Sequence, residues 1–114
     1  MAVDIRDLTR DSFQELVGKA EQPVIIDFWG PQCAPCLALG PTFDSMAESN
    51  PDMTFLRAEA PSNRMLCVDL KVMSLPTFVC MLAGAEVSRL TGQVTAADLK
   101  RWVKEQAEQS KGDE

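Results

Sequence analysis

The sequence contains no histidine, and it has no lysine or arginine between residues 20 and 56. Without histidine the chain cannot form a Cys-His or Ser-His nucleophile pair, a zinc site with histidine ligands or a covalent haem attachment. General-base chemistry must therefore rely on Asp, Glu or Lys. The formal net charge of -6 also argues against a basic surface of the kind that binds nucleic acid or anionic membranes.

Long hydrophobic runs are missing as well, since no apolar stretch approaches the ~20 residues needed to span a bilayer. Asp4, Arg6 and Asp7 interrupt the region where a secretion signal would carry its apolar segment, which favours a cytoplasmic location. With 114 residues, 46% of them apolar, the chain is predicted to form one domain over residues 1–109. A polar, frayed tail is expected at 110–114.

Hydrophobic periodicity predicts short strands that alternate with amphipathic helices. The run from Val24 to Trp29 is apolar except for Asp27, and it is typical of a strand buried on both faces. The predicted elements, in chain order, are a weak strand near 2–6, a helix capped by Thr9 or Ser12 and ending at Gly18, a strand at 24–29, a helix from Cys33 to about Ser49, a strand at 53–57, a helix at 63–70, strands at 77–82 and 86–90, and a helix capped by Thr95. This order indicates an α/β sandwich with a mixed central sheet.

Several local features refine these elements. Ser12 and Glu15 have the spacing of a capping box, and Pro41 is expected to kink the helix that contains it. The six methionines are interpreted as core residues. Apolar spacing predicts inward-facing side chains in the last two helices at Met65, Leu66, Leu70, Leu99, Trp102, Val103 and Gln106.

The chemical signal is Cys33-Ala34-Pro35-Cys36, which follows the buried strand closely. A Cys-x-x-Cys pair beside a βαβ pattern is typical of a redox pair. If Cys33 is the N-cap of the helix, the unpaired first-turn amides and the helix dipole favour a negative sulfur by about 0.3–1 kcal/mol. Because the thiolate is the nucleophile in disulfide exchange, this position is expected to lower the pKa of Cys33 and activate it.

A disulfide between Cys33 and Cys36 would close a four-residue loop, which the chain-entropy estimate makes worth only roughly 2 kcal/mol. Such a bond can be made and broken without unfolding the domain. The alternatives are a structural disulfide and half of a zinc site, but Cys67 and Cys80 do not form the second close pair that a four-cysteine zinc site presents. These two cysteines are interpreted as small buried residues, with a second redox pair or a regulatory thiol at Cys67 as alternatives.

The segment from Phe28 to Cys36 resembles the active-site segment of the thioredoxin family. Further matches occur in register over nearly the whole chain, at Asp27, Pro41, Ser74-Leu75-Pro76-Thr77 and Gly92. The resemblance implies a thioredoxin fold, with a central mixed sheet of four to five strands flanked by about four helices.

The resemblance also implies catalytic roles. Cys33 would be the nucleophile, Cys36 the resolving thiol and Asp27 a proton-transfer group whose pKa is raised by burial. Pro76 would be a cis-proline that leaves the backbone of Leu75 free to pair with an extended substrate segment. The alternatives are a structural role for Asp27 and a plain turn at Pro76.

Substrate contacts are implied at Trp29, Gln32, Ala34, Pro35, Leu75, Pro76 and Gly92, although Trp29 could equally be a core residue. Where the family carries Trp, Gly and Lys, this chain has Gln32, Ala34 and Leu37. We therefore expect a specialised partner range. Arg57 stands where the family has Lys beside the buried acid, and it keeps the charge but cannot give up a proton.

These observations predict a protein-disulfide reductase that needs no cofactor or metal. The expected partners are disulfide-containing proteins and a thioredoxin-reductase-like electron donor, and the expected state is a monomer. One alternative is a binding or scaffold module with little reductase activity. Another is an oxidant or isomerase outside the cytosol, which the Ala34-Pro35 dipeptide disfavours.

Overall fold

The computed structural model describes residues 5–112 and has a five-stranded mixed sheet in the order β1-β3-β2-β4-β5. The strands are β1 (Arg6–Asp7), β2 (Val24–Trp29), β3 (Thr54–Glu59), β4 (Thr77–Leu82) and β5 (Ala85–Thr91). The helices are α1 (Ala34–Ser49), α2 (Arg64–Leu70) and α3 (Ala96–Gly112), with a π-helical turn at Gln14–Gly18 and a 3-10 turn at Ala60–Ser62. The predicted mixed sheet is confirmed.

The central strand β2 is parallel to β3 on one side and antiparallel to β4 on the other. The five residues from Val24 to Phe28 are all buried, as the apolar run predicts. One face of the sheet packs Ile25 against α1 and α3, and the opposite face packs Ile26 and Phe28 against Leu66 of α2. Each such fully buried side chain contributes about 1.5–3 kcal/mol. This packing fixes the carboxyl end of β2, from which the chain continues to Cys33.

The long helices begin where the sequence predicts. Cys33 is the N-cap of α1, which continues through Pro41 to Ser49. Thr95 and Asp98 form a reciprocal capping box at the start of α3, with both hydrogen bonds at 3.0 Å. The inward face of α3 carries Leu99, Trp102, Val103 and Gln106, all buried.

The N-terminal elements differ from the prediction. The first strand covers only Arg6–Asp7, and residues 2–4 of the predicted strand lie outside the described residues. The predicted first helix is a five-residue π-helical turn at Gln14–Gly18. The Ser12 hydroxyl accepts a hydrogen bond from the Thr9 amide at 3.0 Å, and the Thr9 hydroxyl accepts one from the Ser12 amide at 3.2 Å. The capping box is therefore formed by Thr9 and Ser12, three residues before the expected Ser12–Glu15 pair.

Three further expectations are wrong. Met65 is exposed because α2 has only two turns and presents Leu66 to the core. Met73 is 94% exposed, so the methionines are not all core residues. The C-terminal helix includes Ser110 to Gly112, where a frayed tail was expected.

Candidate active site

The two cysteines of the motif form a disulfide at the start of α1. Their Cα atoms are 5.3 Å apart, within the ordinary range for a disulfide. The peptide nitrogen of Cys36 donates a hydrogen bond to the Cys33 sulfur at 3.2 Å. The N-cap position therefore directs a helix-terminal amide at this sulfur, which is the arrangement that stabilises a thiolate.

The two sulfurs are not equally accessible. Cys36 is 3% exposed, whereas Cys33 is partly exposed. The Cys33 amide donates to the carbonyl of Gly30 at 3.0 Å, which closes the turn between β2 and α1. An ideal Cβ built on Gly30 would lie 3.3 Å from the Leu75 side chain, so the turn packs closely against the segment before Pro76. Cys33 is therefore the more accessible cysteine of the pair.

Asp27 lies inside the domain, 3% exposed, on the same sheet face as Ile25. Its Oδ2 accepts a hydrogen bond from Arg57 Nε at 3.4 Å, and its Oδ1 is buried with no partner among the described residues. Burial raises the pKa of Asp27 to about 6, and the Arg57 charge opposes part of that rise. The predicted direction of the pKa shift is confirmed.

A cavity of about 240 Å³ lies beside the buried acid and Cys36. Asp27 and Cys36 both line it, together with Trp29, Leu37, Gly40 and Arg57. Leu37 is half exposed, so the cavity reaches the surface on the side of α1 that follows the motif. Asp27 and Cys36 therefore face one common space beside α1.

Arg57 has a set of contacts with α1 that could not be predicted from the sequence. Its Nη2 donates to Asp44 Oδ1 at 2.8 Å and to the Gly40 carbonyl at 3.2 Å, and its guanidinium lies 5.1 Å from the centre of the Phe43 ring. All three partners belong to α1. The only feature of the sequence that could have indicated Gly40 and Asp44 as partners of Arg57 is their i, i+4 spacing, which places them on one face of the helix.

The Leu75–Pro76 peptide bond is cis. Leu75 forms no backbone hydrogen bond within residues 5–112, so its amide and carbonyl are available. A groove of about 430 Å³ runs past this segment, and its lining includes four of the predicted contact residues, Pro35, Leu75, Pro76 and Gly92. Gly92 has a φ of 94°, which favours glycine.

A group of hydroxyls holds the segment before β4. Thr77 is buried, and its hydroxyl donates to the Ser74 carbonyl at 2.6 Å. The same oxygen lies 2.8 Å from the Thr91 hydroxyl, which in turn lies 3.1 Å from the Ser74 hydroxyl. These contacts tie the Ser74–Pro76 segment to the end of β5.

The remaining predicted residues occupy separate positions around the motif. Gln32 and Ala34 are exposed on either side of Cys33. Trp29 is partly buried and lines the cavity, and its buried indole nitrogen has no partner within the described chain. Its side chain is therefore neither a pure core residue nor a free surface aromatic.

The other two cysteines lie apart from the motif and are not bonded to each other. Cys80 is buried on β4, and its surroundings raise its pKa to about 11. Cys67 is half buried, and partial burial also raises its pKa. Cys80 fits the buried-residue prediction, whereas Cys67 is more accessible than expected.

Within residues 5–112 no group of three or more Cys, Asp and Glu side chains is arranged to hold a metal ion. None of the helices in that range has the length and apolar character needed to cross a membrane.

Comparison with known proteins gives concordant results. The thioredoxin family model matches residues 4–105. Thioredoxin C-3 of Corynebacterium nephridii is 31% identical over 106 residues, which cover 93% of this chain and 73% of that protein. The thioredoxin of Streptomyces clavuligerus is 30% identical over 101 residues, covering 89% of this chain and 94% of the relative.

A solved structure shares the fold. The thioredoxin of Malassezia sympodialis superimposes with a TM-score of 0.84, at 20% identity over 94% of this chain and 95% of that one. The family match spans most of the residues and includes the bonded cysteine pair. The chain therefore belongs to the thioredoxin family and is a protein thiol-disulfide oxidoreductase.

Proposed function

We propose that the protein reduces protein disulfides, with Cys33 as the nucleophile and Cys36 as the resolving thiol. The Cys33 thiolate attacks one sulfur of the substrate disulfide, the substrate S–S bond breaks, and one substrate thiolate leaves. Cys36 then attacks the Cys33 sulfur of the mixed disulfide and displaces the second substrate thiolate. Two electrons pass to the substrate, and Cys33 and Cys36 end as the disulfide.

The observation that carries this proposal is the Cys36 amide directed at the Cys33 sulfur, 3.2 Å away, at the first turn of α1. The same geometry gives Cys33 a stabilised anion in the reduced protein. Burial of Cys36 supports the division of roles, because a resolving thiol needs to reach only the neighbouring sulfur.

We assign the proton step to Asp27. Cys36 must lose a proton before it attacks, and Asp27 shares the cavity with it. A carboxyl with a pKa of about 6 is largely ionised at neutral pH yet basic enough to accept that proton. No histidine is available for this role in the sequence.

We place the substrate along the groove beside Pro76. An extended segment next to the substrate disulfide would pair with the free backbone of Leu75, as in strand addition. Pro35 and Gly92 border this groove, and Trp29, Gln32 and Ala34 surround the reactive sulfur. This placement brings the substrate disulfide to Cys33.

The partner range is proposed to be narrower than that of a general reductant. Gln32 and Leu37 are both exposed beside the motif and provide neither an aromatic contact nor a positive charge. The proposed partners are a subset of disulfide-containing proteins and a thioredoxin-reductase-like donor. The protein is proposed to act as a monomer in the cytoplasm, with residues 1–109 as the functional domain.

The test is reduction of insulin disulfides with dithiothreitol as electron source. We expect activity in the wild type and none in Cys33→Ser. Cys36→Ser that is reduced, freed of dithiothreitol and then mixed with insulin should instead accumulate a mixed disulfide with substrate, visible by mass spectrometry. Cys67→Ser is the matched control and should keep wild-type activity. A wild type without activity would contradict the proposal and favour a scaffold role.

Substitution toward the family pattern tests the partner range. With a conventional thioredoxin reductase, Gln32→Trp combined with Leu37→Lys is expected to raise kcat/KM by up to roughly thirtyfold, since an interface aromatic and a rim charge each contribute at most on the order of 1 kcal/mol. Wild-type turnover that already equals a conventional thioredoxin would contradict the proposed specialisation.

A further inference from the structure

Arg57 lies between two carboxylates and is held more tightly by the outer one. Its Nη2 is 2.8 Å from Asp44 Oδ1, whereas its Nε is 3.4 Å from Asp27 Oδ2. The Asp27 side chain is almost fully buried and the Asp44 side chain is half exposed. The charge partner of the buried acid is therefore anchored mainly to the helix above it.

The anchoring on α1 involves three groups. Besides Asp44, the Gly40 carbonyl accepts from Nη2 at 3.2 Å, and the Phe43 ring packs 5.1 Å from the guanidinium carbon. Asp27 receives one long hydrogen bond, and its second oxygen has no partner within the described residues. Arginine therefore stabilises the Asp27 anion only in part.

We infer that Asp44 is a positioning residue for the resolving step, which holds Arg57 on α1 and offsets its charge so that Asp27 remains an effective proton acceptor. The inference rests on the proposed role of Asp27. Asp44 does not line the cavity and need not touch the substrate. It acts through Arg57, whose guanidinium cannot itself exchange a proton near neutral pH.

The charged and titratable groups around Asp27 are few. Strand β3 contributes Arg57 and, farther along the same face, Glu59, whose carboxylate accepts from Ser62. Helix α1 contributes Asp44 and the Cys36 sulfur. Strand β4 presents Phe78 opposite Asp27 and the neutral Cys80 thiol two positions away. The buried residues of α3 on this face of the sheet are Leu99, Trp102 and Val103.

These surroundings fix the sign of the expected effect. If the Asp44 charge is removed while its oxygen stays, Arg57 keeps its place and its full positive charge acts on Asp27. The Asp27 anion is then stabilised, its pKa falls, and it becomes a weaker base. The same Asp44 charge contributes to the raised pKa in the native protein.

The experiment compares Asp44→Asn with Glu48→Gln. Glu48 is an exposed acid one turn later on α1, and within the described residues it forms no hydrogen bond or ion pair with Arg57. The Asp27 carboxyl is titrated by carbon-13 NMR in the oxidised protein, where Cys33 and Cys36 do not titrate. We expect Asp44→Asn to lower the Asp27 midpoint by roughly half a pH unit and Glu48→Gln to move it less than half as far.

A second readout addresses the chemistry. Reduced protein in a Cys67→Ser background is mixed with Ellman's reagent in a stopped-flow instrument, and release of the second thionitrobenzoate reports attack by Cys36. We expect the pH midpoint of this phase to move down in Asp44→Asn together with the NMR midpoint. An unchanged or higher NMR midpoint would overturn the inference. The NMR titration does not depend on turnover. A protein that failed to reduce insulin would contradict the proposed function, while the effect of Asp44 on the Asp27 midpoint could still be measured.

Discussion

Asp27 and Arg57 occupy directly opposite positions in the parallel pairing of β2 and β3. The register of two strands therefore sets which cation faces the buried acid. A shift of one residue would turn the Arg57 side chain to the other face of the sheet and leave Asp27 without it. Burial raises the pKa of Asp27 and this contact lowers it, with a smaller raising contribution from the Asp44 charge, and the first two predictions follow from that balance.

Replacing the buried acid should stabilise the fold at neutral pH. The folded state binds the Asp27 proton more tightly than the unfolded chain, because the pKa is raised from 3.8 to about 6. Stability is therefore lost as the pH rises through this range. Asp27→Asn is expected to raise the free energy of unfolding above pH 7 by at most about 3 kcal/mol, and to have little effect below pH 3.8.

Urea unfolding at pH 3.5 and pH 8 checks this prediction. Asp52→Asn is a suitable control, because Asp52 is an exposed acid and its substitution should not change stability with pH in the same way. The same Asp27→Asn protein should reduce insulin more slowly. If wild type and Asp27→Asn were equally stable at pH 8, the prediction would be wrong, because other native interactions would then offset the cost of burying the ionised carboxylate.

Removing the Arg57 charge should raise the Asp27 pKa above its value of about 6, because the cation lowers it in the native protein. In Arg57→Gln the pH profile of the resolving step is expected to shift to higher pH, and stability at pH 8 should fall. Arg57→Lys keeps a cation at this position and should remain close to wild type. A profile that moves equally in both variants would indicate lost packing against Phe43 rather than lost charge.

The Cys33 thiol should titrate clearly below the ~8.5 of a free cysteine in the reduced protein. The Cys36 amide and the first turn of α1 provide the stabilisation. The rate of iodoacetamide alkylation against pH measures the value in a Cys36→Ser, Cys67→Ser double variant, which leaves Cys33 and the buried Cys80 as the remaining thiols. A midpoint at or above that of a free cysteine would remove the basis for Cys33 as the nucleophile.

The hydroxyl of Thr77 should matter for both stability and substrate affinity. Thr77→Val leaves the Ser74 carbonyl without its 2.6 Å donor and is expected to cost about 1–3 kcal/mol of unfolding free energy. Because the Ser74–Pro76 segment is then less well held, KM for insulin should rise more than kcat falls. Thr77→Ser keeps the hydroxyl and is the matched control. A change in kcat alone would place the effect outside substrate binding.

The parts of the site that could be predicted from the sequence depend on local patterns. The N-cap role of Cys33 follows from the position of the motif between an apolar strand and an amphipathic helix. The raised pKa of Asp27 follows from one acid inside a buried strand. These inferences need only short-range information, because strand burial and helix capping are decided within a few residues.

The missed features depend on tertiary placement. The Arg57–Asp44 pair joins β3 to α1, and no periodicity in either segment indicates which helix residue lies above the arginine. Met65 was expected in the core because it is apolar and next to Leu66, but a seven-residue helix buries only a narrow face. At the N-terminus, Thr9 and Ser12 bind each other's amides, which starts the turn earlier than the Ser12–Glu15 spacing predicts.

The disulfide closes within a single turn of α1, and the nearest basic residues on either side are Lys19 and Arg57. Trypsin should consequently release both sulfurs on one peptide that spans residues 20–57. Oxidation then appears as the loss of a pair of hydrogen atoms from that peptide, never as a link between two fragments. Mass spectrometry of a digest made from rapidly quenched cells would therefore report directly what fraction of the protein is oxidised in vivo.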